Sequence, residues 1–192
     1  MEIRKISEDI LREANKILYD MGLLQVMGEF GEVFVTGSYY LNLMTWRDLD
    51  VYIRNDTMDK QKFFELGGKI ASILSPYKMN YRDETILKRG KPDGLYWGVY
   101  SNLFKVHTWK FDIFVLKSRN FEKLSNEAKE LKQEISQQME EPILKIKQSI
   151  CDNPLYRKEV FSMDIYTAVM KENVSSVDDF RKWLKEKKNI SL

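Results

Sequence analysis

Hydrophobic spacing at the start of the chain predicts a helix followed by a strand. Apolar residues recur every three or four positions, which is the period of an amphipathic helix: Ile3, Ile6, Ile10, Ala14, Ile17 and Met21. Gly28 and Gly31 interrupt this pattern, and the apolar run at residues 33–35 then predicts a buried strand. That strand is expected to end at Thr36 and Gly37.

Strict alternation makes residues 48–53 the most informative stretch of the sequence. The order Asp-Leu-Asp-Val-Tyr-Ile fits a strand with one polar and one apolar face. Because successive side chains of a strand point to opposite faces, Asp48 and Asp50 are predicted to share a face, with apolar residues on the other. The two carboxylates are therefore expected side by side.

Helix and strand signals continue to alternate up to about residue 117. Asp56 or Thr57 is the predicted N-cap of a helix that Pro76 ends. Three stretches rich in aromatic and branched residues then predict strands: 77–82, 94–103 and 106–116. In the last of them, Asp112 is predicted to point away from the face formed by its apolar neighbours.

From residue 119 onward the apolar spacing is helical. A break is predicted at Pro142, a new helix is predicted to start at Pro154, and the serine pair at 175–176 is a capping signal for the last helix. The sequence thus predicts an α+β chain, with a mixed core over residues 1–117 and a helical C-terminal region over residues 118–192.

Composition limits the classes of partner. The 192 residues are 43% hydrophobic and 31% charged, which allows a buried core with a polar surface. The net charge of +2, without a long block of one sign, argues against a nucleic-acid partner. No apolar stretch approaches the roughly 20 residues of a membrane helix, no signal-peptide pattern is present, and Cys151 is a lone cysteine. A cytoplasmic protein without a membrane partner is therefore expected.

Three features predict a metal site beside a phosphate-binding turn. Gly37 would let a phosphate approach the backbone, and the Ser38 hydroxyl could donate a hydrogen bond to it. Asp48 and Asp50 would present two carboxylates on one side of a strand, with Asp112 as a third from a neighbouring strand. Mg²⁺ prefers oxygen ligands, and two ions about 4 Å apart would suit a triphosphate and an attacking hydroxyl.

Two segments resemble the nucleotidyltransferase superfamily related to DNA polymerase beta. They are VTGSYYLNLMTWRDLDVYI, residues 35–53, and FDIFV, residues 111–115. That family has a Gly-Ser turn, then an Asp-x-Asp strand, then a third acidic residue on a separate strand. The resemblance covers the chain to about residue 117, and it implies a short mixed sheet flanked by helices.

The resemblance also implies roles for the candidate residues. Gly37 and Ser38 would contact a nucleoside triphosphate, and Asp48 and Asp50 would bind Mg²⁺. Asp112 would complete the metal site or help to deprotonate the acceptor. The implied reaction moves a nucleoside monophosphate from the triphosphate to a hydroxyl of a small-molecule or protein acceptor, with release of pyrophosphate.

Other interpretations of the same residues stay open. Alternation alone produces solvent-facing pairs such as Asp48 and Asp50 on edge strands. The bulky segment 39–46 departs from the family pattern and favours a catalytically inactive module that binds nucleotide or protein, as in an antitoxin. A metal-dependent phosphohydrolase or nuclease also uses clustered aspartates, although His107 is the single histidine and such sites commonly mix both residue types.

Basic and aromatic residues near the predicted strands are further candidates. Five basic residues could neutralise phosphate charge, and the sequence does not rank them: Arg47, Lys88, Arg89, Lys91 and Lys110. A group of aromatic residues could stack on a base, although sheet packing explains most such residues: Tyr96, Trp97, Tyr100, Trp109 and Phe111. His107 is predicted on the face opposite Asp112 and is assigned a structural role.

Overall fold

A mixed β-sheet lies at the centre of the molecule. The computed structural model describes residues 2–87, 92–104 and 107–192. The strands in these ranges are β1 Glu32–Thr36, β2 Asp48–Arg54, β3 Lys78–Asp83, β4 Gly94–Leu103 and β5 His107–Leu116. Their order across the sheet is β1-β2-β5-β4-β3, with β2 and β5 parallel and the other neighbours antiparallel. The predicted α+β class and mixed sheet are confirmed.

Helices precede, interrupt and follow the strands. In chain order they are α1 Glu2–Asn15, α2 Leu23–Gly28, α3 Gly37–Tyr40, α4 Lys60–Leu74, α5 Glu84–Leu87, α6 Ser118–Glu134, α7 Gln137–Ile150, α8 Ser162–Glu172 and α9 Val177–Lys188. A π-helical turn, Lys16–Asp20, directly follows α1. Across the described ranges, none of the helices has both the length and the apolar character that crossing a membrane requires.

The main hydrophobic core lies on one face of the sheet, beneath α1, α2 and α4. Leu49 and Val51 of β2 are fully buried there, as are Phe111 and Ile113 of β5. Each such side chain contributes roughly 1.5–3 kcal/mol by leaving water. The predicted alternation of β2 is confirmed, because the aspartates between these apolar residues face the other way.

The C-terminal helices surround a second hydrophobic cluster. Its buried members on α7 and α8 include Ile143, Ile146 and Ile165, and the loop after α3 adds Leu41 and Leu43. The bulky segment that departs from the family pattern therefore supplies packing between the sheet and the helices. The division at residue 117 stays a prediction, since residues from before it also pack in this cluster.

Two predicted helix boundaries on the C-terminal side are wrong. Pro142 lies inside α7, and the break occurs earlier, at 135–136. A proline there removes one helical hydrogen bond, and burial of the following apolar residues offsets that cost. Pro154 does not start a helix, because the Asn153 side chain accepts a hydrogen bond from Leu155 N at 2.9 Å and forms a local turn. The next helix begins at Ser162.

The predicted cap of α4 is also wrong, whereas the predicted cap of α9 is confirmed. Asp59 caps α4, since its side chain accepts from Lys62 N at 2.8 Å. Asp56 instead accepts from Ser118 N at 2.9 Å and stabilises the start of α6. At α9 the Ser176 hydroxyl accepts from the backbone N–H of Asp179 at 3.1 Å.

Candidate active site

Parallel pairing of β2 with β5 brings the three acidic residues together. Asp50 lies opposite Asp112 in the register, and Asp48 lies opposite Lys110. One carboxylate oxygen from each of Asp48, Asp50 and Asp112 lies within 4.8 Å of the other two. Two paired strands in this register present side chains on a common face, so the convergence follows directly from the pairing.

Gly37 lies directly against this acid cluster. Its φ is +63°, a left-handed conformation that β-carbon-bearing residues adopt at a cost. A Cβ built at Gly37 would overlap Asp50 Oδ2. The absence of a side chain therefore serves both the turn from β1 into α3 and the space beside the Asp50 carboxylate. Ser38 follows in the same turn and lines a cleft that opens beside these acids.

Burial and mutual repulsion make Asp48 and Asp50 difficult to ionise. Loss of solvation, together with the charges of Asp48 and Asp112, raises the pKa of Asp50 to about 8. Loss of solvation also raises the pKa of Asp48, although Lys110 acts in the opposite direction. An added cation would relieve both effects, because it favours the charged carboxylates.

Two side chains hold Asp112 in place. Lys110 donates to Asp112 Oδ2, and the Tyr96 hydroxyl donates to Asp112 Oδ1. Burial lowers the pKa of Lys110, but Asp48 and Asp112 outweigh that effect and raise it overall, so the ammonium stays charged. Lys110 Nζ lies 3.9 Å from Asp48 Oδ1, which places one cation between two of the acids.

The residues present fit a hard divalent cation. Their donor set consists of carboxylate oxygens, the ligand type that Mg²⁺ and similar ions prefer. Within the described part of the chain, Asp48 Oδ1 is buried and has no hydrogen-bond partner. Since an unsatisfied buried oxygen is costly, a metal bond to this atom would remove an existing penalty.

The sequence matches no protein-family model and no curated protein. Among solved structures, a cytoplasmic RNA terminal U-transferase is similar with a TM-score of 0.57 and 12% identity, over 88% of this chain and 51% of that chain. CdnC of E. coli MS115-1 with ATP gives a TM-score of 0.49 and 12% identity, over 94% of this chain and 66% of that chain. The chain has the nucleotidyltransferase fold. It spans about half the length of the U-transferase.

In this nucleotidyltransferase fold, a cleft of about 570 Å³ opens beside the acids. Sheet and turn residues line this cleft on one side, and Tyr156, Arg157 and Tyr166 of the C-terminal region line it on the other. The Arg157 guanidinium lies 4.5 Å from the centre of the Trp46 ring. The volume lies within the range of about 300–1,000 Å³ that small-molecule sites occupy.

The five basic residues that the sequence proposed for phosphate binding lie in different environments. Lys110 contacts the acids. Arg47 forms a bidentate ion pair with Glu13, in which Nε and Nη2 donate to the two carboxylate oxygens at 2.6 and 2.7 Å. The three remaining candidates, Lys88, Arg89 and Lys91, lie outside the described residues. Arg47 thus joins the segment before β2 to α1, and Lys110 is the candidate that the nucleotidyltransferase fold brings to the site.

The aromatic candidates are mainly packing residues. Trp97, Trp109 and Phe111 belong to the main core, as sheet packing predicts. Tyr96 differs, because its hydroxyl contacts Asp112. His107 has an exposed side chain at the start of β5, opposite Leu103.

Lys147 and Arg157 were missed by the sequence interpretation. Lys147 lies inside the apolar stripe of α7, between Ile143 and Ile150, and its side chain is fully buried. This position in the sequence indicated a buried lysine with a polar partner, because a lysine on the buried face of a helix needs one. Its partner is the Leu43 carbonyl oxygen, at 2.6 Å from Nζ. Arg157 lies in an irregular turn and gave no periodic signal.

Proposed function

We propose that this protein is a divalent-metal-dependent nucleotidyltransferase that moves a nucleoside monophosphate from a triphosphate to a hydroxyl. The convergence of Asp48, Asp50 and Asp112 within 4.8 Å, beside Gly37, carries the proposal. Its fold similarity to a terminal U-transferase supports the use of a nucleoside triphosphate. A packing-only role does not account for three clustered carboxylates, because their mutual repulsion destabilises the metal-free fold.

Asp48, Asp50 and Asp112 would hold Mg²⁺, as one ion or as a pair. When bound, the metal would neutralise triphosphate charge and lower the pKa of the attacking hydroxyl. Gly37 leaves the backbone open to a phosphate, and the Ser38 hydroxyl can donate to it. Arg157 lines the same cleft and is positioned to pair with the outer phosphates.

The chemistry balances with these groups. The acceptor oxygen forms a bond to the α-phosphorus, and the bond from that phosphorus to the bridging oxygen of the β-phosphate breaks. Pyrophosphate leaves with that oxygen. The acceptor proton passes to Asp112 or to water, and Lys110 offsets the negative charge that collects beside the acids.

Labelled substrates test the proposal directly. Purified protein is incubated with Mg²⁺, candidate acceptors and each of labelled ATP, GTP, CTP and UTP, and the products are separated. Label should move to an acceptor with one of the four, and Asp50→Asn should remove at least about 99% of the rate, as the loss of a metal ligand does. Asp178→Asn, at a side chain that is 83% exposed on α9, is the matched control and should keep full activity.

The same assay separates the competing functions. A phosphohydrolase or nuclease would release nucleotide to water instead of attaching it to an acceptor. A binding module would bind triphosphate without turnover. In the transfer assay, the Asp178→Asn and Asp50→Asn variants would then both show no transfer of label. The bulky residues of segment 39–46 give that alternative no support, because Leu43 and Met44 are fully buried packing residues.

A further inference from the structure

A second cleft, of about 340 Å³, opens on the other side of the acids. Four residues line both this second cleft and the larger one: Asp50, Tyr52, Lys110 and Asp112. The acids therefore lie where two separate spaces meet. This arrangement allows two substrates to approach the acids, one from each side.

Strand register builds the floor of the second cleft. Gly98 of β4 lies opposite Asp112, with Tyr96 opposite Phe114 and Tyr100 opposite Lys110. A Cβ at Gly98 would overlap the Tyr96 hydroxyl oxygen and would lie 3.0 Å from Tyr96 Cε1. The missing side chain lets the Tyr96 ring lie along the strand and reach Asp112. The aromatic surface beside the acids consists of Tyr96, which is only 4% exposed, and of Tyr100, which is half-buried and is the ring that a ligand can reach.

Two basic side chains from β3 border this surface. The Arg82 guanidinium carbon lies 3.8 Å from the centre of the Tyr96 ring, and Lys78 Nζ lies 5.1 Å from the centre of the Tyr100 ring. Glu84, whose side chain is 1% exposed, holds Arg82 through an ion pair at 2.8 Å. Cations fixed above aromatic rings attract anions, whereas they repel a polycation.

We propose that the second cleft binds the acceptor, and that this acceptor carries a flat ring and an anionic group beside its hydroxyl, as a mononucleotide does. The inference rests on the proposed function for its reaction, although the ligand class follows from the cleft itself. The ring stacks on Tyr100, and the anion pairs with Arg82. The hydroxyl then faces Asp112, and its oxygen bonds to the α-phosphorus as pyrophosphate leaves and the proton is released.

Binding of three probes tests the ligand class without requiring turnover. AMP, adenosine and ribose 5-phosphate are titrated against the full chain, with Mg²⁺ and excess non-hydrolysable ATP analogue present to fill the larger cleft. AMP should bind at least about tenfold more tightly than either part alone, since each part makes one of the two contacts. Equal affinity for all three probes, or no binding of AMP, overturns the proposal.

Matched arginine variants locate the site. Arg82→Gln should weaken AMP binding by about tenfold or more, while Arg181→Gln, at a side chain that is 51% exposed on α9, should leave it unchanged. Because Arg82→Gln leaves Glu84 buried without its partner, the double variant Arg82→Gln with Glu84→Gln gives a second measurement. Unchanged AMP binding in Arg82→Gln, or an equal loss in Arg181→Gln, overturns the assignment.

Turnover distinguishes this proposal from the proposed function. AMP binding that depends on Arg82, with no transfer of label, refutes the transferase and supports the ligand class of the second cleft. Transfer to a polycationic aminosugar in preference to AMP supports the transferase and overturns the acceptor class. Transfer to AMP with a raised acceptor KM in Arg82→Gln supports both.

Discussion

At the scale of single residues, Gly37 connects backbone conformation to the acid cluster. We expect Gly37→Ala to destabilise the fold by about 1–3 kcal/mol, because its left-handed φ is strained for alanine and the new Cβ overlaps Asp50 Oδ2. Mg²⁺ binding should weaken in the same variant. Urea denaturation and calorimetric titration measure the two effects.

Gly68→Ala is the matched control for Gly37→Ala. Gly68 is exposed on α4, and a Cβ there has no neighbour within 4 Å. Alanine is favoured over glycine in a helix, so this variant should gain roughly 0.5–1 kcal/mol. Equal effects of the two substitutions would contradict the role that the structure gives to Gly37.

Asp50 should make metal-free stability depend on pH. Burial and its acidic neighbours raise the pKa of Asp50 to about 8, so its contribution to folding is complete below the unfolded pKa near 3.8 and is lost as the pH rises through 8. Asp50→Asn removes this loss. Without metal, the variant should therefore gain stability relative to the wild type between pH 4 and pH 8, by a few kcal/mol at roughly 1.4 kcal/mol per pKa unit.

Free energies of unfolding in urea with EDTA, at pH 5, 7 and 8.5, measure this difference. Added Mg²⁺ should reverse the order at pH 8.5, because a ligand that binds the folded wild type stabilises it by mass action. A difference in unfolding free energy between wild type and Asp50→Asn that does not change with pH would show that the pKa of Asp50 is not raised. The Asp178→Asn variant supplies the baseline.

At the scale of elements, Asp59 decides where α4 begins. Asp59→Ala should cost about 1 kcal/mol, because the Lys62 N–H would lose its side-chain acceptor, and Asp59→Ser should restore most of that loss. Thr57→Ala should have a smaller effect, since Thr57 contacts Asn55 and does not cap the helix. Thermal unfolding of the three variants ranks them, and a larger loss in Thr57→Ala would contradict the assigned cap.

Local periodicity predicted the five strands and the longer helices but not the short helices α2, α3 and α5, and local chemistry misplaced some helix ends. The alternation at residues 48–53 correctly gave β2, because a half-buried strand imposes that period. Pro142 was misinterpreted as a helix break, because burial of the residues around it overrides the local cost of a proline inside a helix. Pro154 was misinterpreted as a helix start, because the turn formed by Asn153 occupies that position instead. Asp56 and Asp59 are equally good caps in sequence, and only the contact of Asp56 with Ser118 separates them.

At the scale of the whole molecule, Lys147 joins the helical region to the sheet. Its Nζ donates to the Leu43 carbonyl oxygen and lies 4.8 Å from the centre of the Trp46 ring. Burial lowers the pKa of Lys147 to about 7, and Asp48 and Asp50 oppose that shift only in part. Its contribution to stability is present above the unfolded pKa near 10.5 and is lost as the pH falls through 7.

The wild type should therefore gain stability relative to Lys147→Met between pH 7 and pH 9. The gain is at most about 1.4 kcal/mol per pH unit. Lys145→Met, on the exposed face of α7 with a side chain that is 57% exposed, should show no such trend. A constant gap between the wild type and Lys147→Met, measured by urea denaturation at both pH values, would contradict a buried neutral lysine.

The sequence by itself determined the period of each strand and the acidic pattern at Asp48, Asp50 and Asp112, because alternation and residue type are local properties. Only the tertiary structure decided that β2 and β5 are parallel neighbours, which sets Asp50 opposite Asp112. It also decided that Tyr96 and Arg82 border a second cleft, and that the Leu43 carbonyl oxygen is the partner of Lys147. Pairing and burial depend on contacts between residues far apart in the chain, and no local pattern encodes those contacts.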